Sequence, residues 1–569
     1  MKNNSKSPFL GDPNQGIYNA AVKQYKDTEI RKINFHIVFS LAELIKRMFG
    51  PKGLNKMLIR PKGEVLITQK GSKVIPFFKT RLPITQLLSN LIETQEKLCG
   101  DGTKSVILLT AFLLEKAKKL LELGIAPQTI NIGLLFAIKK ALDTLETSVV
   151  PINKNSEGYL KDLLRSIMMN KLSFQAKEYF IDLILNSMEN LIRNNLKDFD
   201  FSNIKFRKVV GKSIKESELI NGMVIYKNRS NPKAPTYIKN PKILLIRRNL
   251  DFFIPDNVKL NREIIIQNPT EYNHFLQFNT KFYRQIAENL KKHGIDAIFC
   301  QKKMNTYFIE YCADIGILAL ELFGDEEINT LSKLLKIPII SNITNFSEHD
   351  IGIADELRFK KLTNDEILLI KSSQTPIFTF LLRGGNNYIL EELEECLHSA
   401  LKVTIQTMKD QKVLPGGGAL ESEIADVLKK YSLTFYDRLQ YVLFEFGTAF
   451  ENLPAFLILN SAGDPLELIP NLRKAHASGQ KYFGFNCYSQ SIQNVVNQGI
   501  LDGYQVKKHL IKIAGEVARQ IIRIDGLIMV TNKRLQETLD APGKAVKSQE
   551  HEDRLREFFK RTENKMFSE

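Results

Sequence analysis

The chain has 569 residues, 43 % of them hydrophobic, which is enough for a sizeable core divided among roughly two to four domains. A formal net charge of +17 and a pI near 9.3 admit a polyanionic partner such as nucleic acid or an acidic membrane surface. The basic residues, however, are spread along the whole chain beside Glu, the pattern of solvated helix faces rather than of a dedicated nucleic-acid site. The dispersed Cys99, Cys300, Cys312, Cys396 and Cys487 form no CxxC pair, which argues against a disulfide framework or zinc site and fits buried free thiols in a reducing compartment. Residues 1–16 carry no apolar stretch of the secretory type, and no run reaches the ~18 apolar residues of a membrane span. The expectation is a soluble cytoplasmic protein with no membrane partner.

Residues 1–16 are polar, contain Gly and Pro, and read as a mobile arm. Over 18–48 apolar residues recur at helical spacing (Ile30, Ile33, Ile37, Val38, Leu41, Leu44, Ile45, Met48) until Gly50-Pro51 stops the helix. Short strands are expected at 56–59 and 64–68 around Pro61-Lys62-Gly63, then helices at 84–98, 103–123 and 127–145. From about 209 to 370 the character changes. Strands at 243–246, 264–266, 297–300, 317–320 and 337–340 alternate with helices at 275–293 and 305–314, and Pro338 puts the last strand at a sheet edge or a strand start. That alternation implies a separate α/β domain. From 389 the chain reads as helical with few breaks to about 531, and a charged tail from 532 ends in an amphipathic helix at 550–560. Helical, then α/β, then helical is the order produced by inserting an α/β domain into a helical one. There is no internal repeat and no low-complexity tract.

Gly100-Asp101-Gly102-Thr103-Lys104-Ser105 opens one of the strongest helices. Glycines let the backbone approach a phosphate, and the free N–H groups and dipole of a helix start hold the anion. Thr103 and Ser105 add hydroxyls, and Asp101 is placed to hold Mg²⁺ beside the phosphates. The GxxxxGK[ST] spacing of a Walker A loop is absent, and an ordinary capped helix accounts equally well for this segment taken alone.

Other segments narrow the choice. Phe49-Gly50-Pro51-Lys52-Gly53-Leu54-Asn55-Lys56-Met57-Leu58 resembles the LGPKGMDKML phosphate loop of group II chaperonins, the thermosome and TCP-1 cytosolic chaperonin family. Val413-Leu414-Pro415-Gly416-Gly417-Gly418-Ala419-Leu420-Glu421 resembles that family's VVPGGGAxE segment near ribose and base, and Leu382-Arg383-Gly384-Gly385 its LRGxT segment. Glu451-Asn452-Leu453-Pro454, Ala462-Gly463-Asp464-Pro465, Val506-Lys507, Arg523-Ile524-Asp525, Gly211-Lys212-Ser213, Leu219-Ile220-Asn221-Gly222 and Phe299-Cys300-Gln301-Lys302 match further segments in the same order, so the resemblance spans residues 17–531.

The resemblance implies an α+β multidomain subunit. Its parts would be a mainly helical equatorial domain (1–150 and 408–531), a small intermediate domain (151–210 and 372–407), an inserted α/β apical domain (211–371) with a helical protrusion around 252–274, and a charged tail (532–569). It implies ATP and Mg²⁺ as cofactors, and nucleotide binding by Gly50, Pro51, Lys52, Gly100, Asp101, Gly102, Thr103, Lys104, Ser105, Gly416, Gly417 and Gly418. Gly484-Phe485-Asn486 falls near the family's base-side loop, which adds Asn486, but no carboxylate stands out after it. The implied partners are unfolded or nascent client proteins and a homo- or hetero-oligomeric double ring of related subunits.

Two acidic positions depart from the family pattern. In Ile67-Thr68-Gln69-Lys70-Gly71-Ser72, Lys70 stands where the metal-site Asp of the ITNDGATI segment belongs. A cation there competes with Mg²⁺ or pairs with a phosphate oxygen directly, unless it turns to solvent. In Cys396-Leu397-His398-Ser399-Ala400-Leu401, Ser399 replaces the general-base Asp of LHDAL, and a hydroxyl is no base at neutral pH. His398 points about 100° away from its neighbour on a helix and is a poor substitute. Asp101 and the glycines are kept, so binding is better supported than hydrolysis. The expected function is an ATP-binding chaperonin subunit with weak or lost hydrolysis. The alternatives are a non-hydrolysing assembly factor of the Bardet–Biedl type and a basic scaffold for nucleic acid or membrane, the last supported by net charge alone.

Overall fold

A computed structural model describes residues 22–59, 63, 65–75, 83–152, 157–169, 174–193, 201–250, 269–361, 366–375 and 377–530. The centre of its largest core is the Thr103–Glu122 helix. Val106, Ile107, Leu108, Leu109, Ala111, Phe112, Leu113 and Leu114 are all buried, so over this stretch the helix is apolar on every side and has to be surrounded. Asp27–Lys46, Arg438–Asn460 and Tyr504–Ile522 pack around it, and Pro127–Thr147 and Ala419–Ser432 complete the bundle. One continuous hydrophobic cluster runs from Phe35 to Leu145 and from Leu414 to Ile522. The two ends of the chain are therefore one structural unit, and everything between them is inserted.

The inserted part carries two sheets. In the four-stranded sheet Leu318–Leu320, Ala297–Cys300 and Lys242–Ile246 are parallel, and Gly352–Ile353 closes it antiparallel. Strand periodicity divides its side chains. Leu244, Ile246, Ile298 and Ala319 face a core with the Pro269–Lys292 and Thr306–Asp314 helices, whereas Ile243, Leu245, Phe299 and Leu318 face the Asp325–Leu335 helix. A six-stranded sheet runs in the order Ile204–Val210, Phe378–Gly384, Glu218–Tyr226, Glu366–Lys371, Glu356–Lys361, Tyr237–Lys239. Its Phe378, Phe380 and Leu382 pack on a third core formed with the Glu157–Ile167, Phe174–Arg193 and Asn387–Asp410 helices. The architecture is α+β and multidomain.

Several sequence expectations shift. The first part of 18–48 is a strand, Val22–Lys26, because it pairs antiparallel with Gly526–Val530 at the other end of the chain, and that partner likewise ends the C-terminal helical run early. Residues 337–340 form no strand. Pro338 has no N–H to give a ladder, and only Ile340 bridges to Ile246. The run after 389 is interrupted by Lys412–Pro415, Leu501–Gly503 and a Phe483–Asn486/Ser491–Asn494 hairpin. The helix expected at 275–293 begins at Pro269, a residue that suits a first helical turn. The strand expected at 264–266, the arm 1–16, the helix at 550–560 and most of the 252–274 protrusion lie outside the described residues. All five cysteines are buried and free. One described helix, Arg438–Asn460, is long and apolar enough to cross a membrane, but 61 % of its most apolar window is buried in the protein. Its Glu451 accepts both Arg473 Nε and an Arg473 terminal nitrogen, at 2.8 and 2.7 Å, and pairs with Lys429.

The shared core makes a specific demand. A fragment of residues 1–405 lacks every C-terminal partner of the Thr103–Glu122 helix but keeps the cores of the inserted sheets, and we expect its helical circular dichroism signal per residue to fall well below that of the full chain. A soluble fragment with the full chain's helical signal per residue would contradict the shared-core reading.

Candidate functional site

A cavity opens where the central helix begins. It offers about 240 Å³ of space to water and is lined by segments far apart in sequence: Phe49–Pro51, Gln69–Lys70, Glu96, Gly100–Ser105, Ser166–Met169 in part, Ser399, Gly417–Gly418, Glu421, Leu453–Leu457 in part, Phe485, Cys487, Ile500–Asp502, Val506–Lys507 and Leu510. Gly50, Pro51, Gly100, Asp101, Gly102, Thr103, Lys104, Ser105, Gly417, Gly418, Lys70 and Ser399 therefore share one cavity. Lys52, Gly416 and Asn486 do not line it. Gly416 donates its N–H to the Ile500 carbonyl, and the Asn486 side chain accepts from the Tyr488 and Ser489 N–H groups in the hairpin turn.

The phosphate-type loop is built by contact. Gly102 caps the Thr103–Glu122 helix at φ 81° with no side-chain cap bond, so the first-turn N–H groups have no side-chain acceptor there. A Cβ at Gly102 would sit 2.9 Å from Val506 Cγ1 and 3.0 Å from Gln95 Nε2, so glycine is required for space as well as for conformation. Buried Gln95 donates to the Asp101 carbonyl at 2.9 Å and bridges the loop to the Val506 carbonyl. Lys104 Nζ donates to Met48 O at 2.8 Å, and Gln69 Nε2 to Gly53 O at 2.6 Å, which fixes the 48–53 loop onto the cavity. Lys402 donates to the Glu96 and Lys97 carbonyls and Gln406 to the Leu98 carbonyl, so side chains of the Asn387–Asp410 helix cap the end of the Pro83–Cys99 helix.

The charged groups of the wall are mostly committed. Lys70 Nζ lies 2.8 Å from Glu96 Oε1, with 15 % of the lysine side chain exposed, so it does not turn to solvent. Lys507 binds both Glu421 and Asp502, the latter at 3.0 Å. The two carboxylates hold the Lys507 pKa above the usual lysine range against the effect of burial. Enclosure pushes the Asp502 carboxyl up, opposed by Lys507, even though 37 % of its side chain opens into the cavity. Glu421 Oε2 is buried and has no hydrogen-bond partner among the described residues. Asp101 is the one cavity carboxylate that enters no ion pair among the described residues.

Ser399 is buried and donates its hydroxyl to the Glu395 carbonyl of its own helix at 3.0 Å, so its proton points back along the helix. His398 faces away, edge-on to Phe201 at 4.7 Å between ring centroids. Burial, together with Lys70 and Lys402, lowers its pKa to about 4. It is a neutral, aromatic-packed ring rather than a replacement base. The Leu382–Gly385 segment ends a sheet strand, and Asn386 then caps the Asn387–Asp410 helix by accepting the Ile389 N–H at 2.8 Å, which sets the rotation that brings Ser399 to the cavity.

Sequence reasoning did not single out Gln95, Glu96, Asp502 or Lys402. Asp502 had a usable signal. It stands in Leu501-Asp502-Gly503, five residues before Lys507, on a strand that pairs with the Val413–Pro415 segment leading into the triglycine. The others are contacts between distant helices with no local mark.

Residues 41–532 match the TCP-1/cpn60 chaperonin family, and the chain belongs to that family. It is 30 % identical over 503 residues to a protein named thermosome subunit alpha from Archaeoglobus fulgidus, covering 88 % of this chain and 92 % of that one. It is 29 % identical over 506 residues to thermosome subunit alpha of Methanothermobacter thermautotrophicus (89 % and 92 %). It is also 29 % identical over 509 residues to thermosome subunit beta of Sulfurisphaera tokodaii (89 % and 92 %).

The buried His398 carries a pH signature. Its folded pKa, about 4, lies below the unfolded value near 6.5, so the unfolded chain takes up the proton first as pH falls through that window. The folded state is destabilised across it, by up to about 3 kcal/mol for the full difference. We expect His398→Leu to flatten the loss of stability between pH 7 and pH 4 in urea titrations. An unchanged pH slope would refute this.

Proposed function

We propose that this chain is a chaperonin subunit that binds adenine nucleotide in the cavity, works in a double ring with itself or with related subunits, assists the folding of unfolded or nascent proteins, and hydrolyses ATP slowly or not at all. The observation that carries the reading is the meeting of Gly50–Pro51, Gly100–Ser105 and Gly417–Gly418 at one cavity above the start of a buried helix. Glycine cradles and a helix start without a side-chain cap suit phosphates. The orphaned Glu421 Oε2 and the carboxylate of Asp502 offer acceptors to sugar hydroxyls and a base amine. Titration calorimetry with ATP tests this directly. Absence of heat at millimolar nucleotide with folded, assembled protein would overturn it.

The hydrolysis reading rests on Ser399. A positioned general base contributes about 10²–10⁴-fold, and a hydroxyl committed to the Glu395 carbonyl cannot take a proton from water. Phosphate release by the purified chain should therefore be slow, and Lys70→Asp with Ser399→Asp together should raise it far more than either alone, with Asp101→Ala as the blank. Family-typical turnover by the unmodified chain that vanishes in Asp101→Ala would contradict the reading.

Ring assembly draws support from the Lys56–Ile59/Val65–Thr68 hairpin. It is only two strands wide, and Met57, Ile59 and Ile67 are 65 %, 63 % and 47 % exposed. An isolated hairpin is marginal in water, and unpaired strand edges take up further strands. We expect Met57→Asp with Ile59→Asp to shift the native mass from oligomer toward monomer while leaving the thermal transition intact. An unchanged mass would exclude this hairpin as a contact.

A further inference from the structure

We propose that the cavity accepts the phosphate chain of its nucleotide without a divalent cation, with the Lys70 ammonium supplying the counter-charge. This rests on the nucleotide reading above and concerns the chemistry of the same site. Mg²⁺ asks for several oxygen ligands at near-ideal geometry and is usually bound through one or two free carboxylates plus phosphate oxygens. The wall offers only the low end of that set. Of its four carboxylates, Glu96 is held by Lys70, while Glu421 and Asp502 are held by Lys507, leaving Asp101. No group of three or more His, Cys, Asp or Glu among the described residues is arranged to hold a metal ion.

What the wall does offer is a cation fixed beside the phosphate-type loop. Gly71, the next residue, lies so close to the first turn of the Thr103–Glu122 helix that a Cβ there would be 3.3 Å from both Thr103 Oγ1 and Lys104 Cγ. The backbone at 70–71 is therefore seated on the helix start that opens the cavity. Glu96 is itself anchored, since Lys402 binds its carbonyl at 3.0 Å. The lysine head group is thereby positioned by a carboxylate whose helix end is capped. An ammonium has three N–H donors, and the Glu96 contact takes one. A phosphate oxygen entering the cavity can be shared by the remaining donors and the first-turn N–H groups, forming charge-assisted hydrogen bonds. A divalent ion in the same place would face that positive charge at short range.

The test is calorimetric titration of the full, assembled protein with ATP, once in excess EDTA and once in Mg²⁺. We expect equal affinity in the two buffers. Lys70→Gln should weaken binding in EDTA by on the order of 10- to 100-fold, the effect of one lost hydrogen bond to a charged group. Lys70→Asp, which sets a further carboxylate beside Glu96 and Asp101, should make binding depend on Mg²⁺. An unchanged thermal transition in each variant separates these effects from misfolding. Binding of the parent only with Mg²⁺ would overturn the inference while leaving the nucleotide reading intact. Binding of Lys70→Gln in EDTA as tight as the parent would also overturn it. No binding in either buffer would remove the nucleotide reading itself, and this inference with it.

Discussion

A helix whose first half has no polar face dictates the rest of this molecule. Val106–Leu114 has no side that tolerates water, so helices from both ends of the chain have to enclose that stretch. The last turn of Thr103–Glu122 can reach the surface, but its first turn is inside the bundle, where four N–H groups need partners. Glycine at 102 leaves them without a side-chain cap, and the bundle leaves a cavity in front of them. The site is thus a by-product of how the core closes. Residues near 50, 100 and 502 meet because each adjoins an element packed on that helix, and those near 417 open the Ala419–Ser432 helix, which packs on Arg438–Asn460 beside it.

The electrostatics follow from the same enclosure. In a wall sheltered from bulk water, unpaired charges are costly, and the charges here arrive as pairs: Lys70 with Glu96, and Lys507 with Glu421 and Asp502. Asp101 is the exception among the cavity carboxylates. A site that has internally neutralised most of its acids is suited to hold an anion and poorly suited to activate water, and Ser399 deepens that bias by giving its hydroxyl to its own helix.

Local signals carried the helices and most strands, because apolar periodicity and Gly/Pro punctuation are properties of neighbouring residues. The 297–300 strand and the 103 helix start were legible for that reason. Val22–Lys26 was not, since its strand state depends on a partner about five hundred residues away. Neither was the failure of 337–340, where one proline outweighs three apolar neighbours. At the site, the glycine loops and the two altered acidic positions were readable because they interrupt recognisable patterns. The Glu96 partner of Lys70, the Gln95 brace and the orientation of Ser399 were not, because each is set by the packing of one helix on another. Nothing in the sequence distinguishes a lysine that turns to solvent from one seated on a half-buried carboxylate.

The helix cap described at Lys402 and Gln406 has a mechanical consequence. The last carbonyls of Pro83–Cys99, which stand immediately before the glycine loop, are satisfied from a helix that belongs to the inserted half of the chain. If Asn387–Asp410 tilts away, three carbonyls at the end of that helix, one part-buried and two exposed, lose their side-chain donors at once. The same tilt withdraws Ser399 from the cavity. The inserted domains therefore cannot swing freely on their two connections. Their position is latched to the hydrogen bonding of the glycine loop that faces the cavity, and the stiffness of that latch is set by two side chains one helical turn apart.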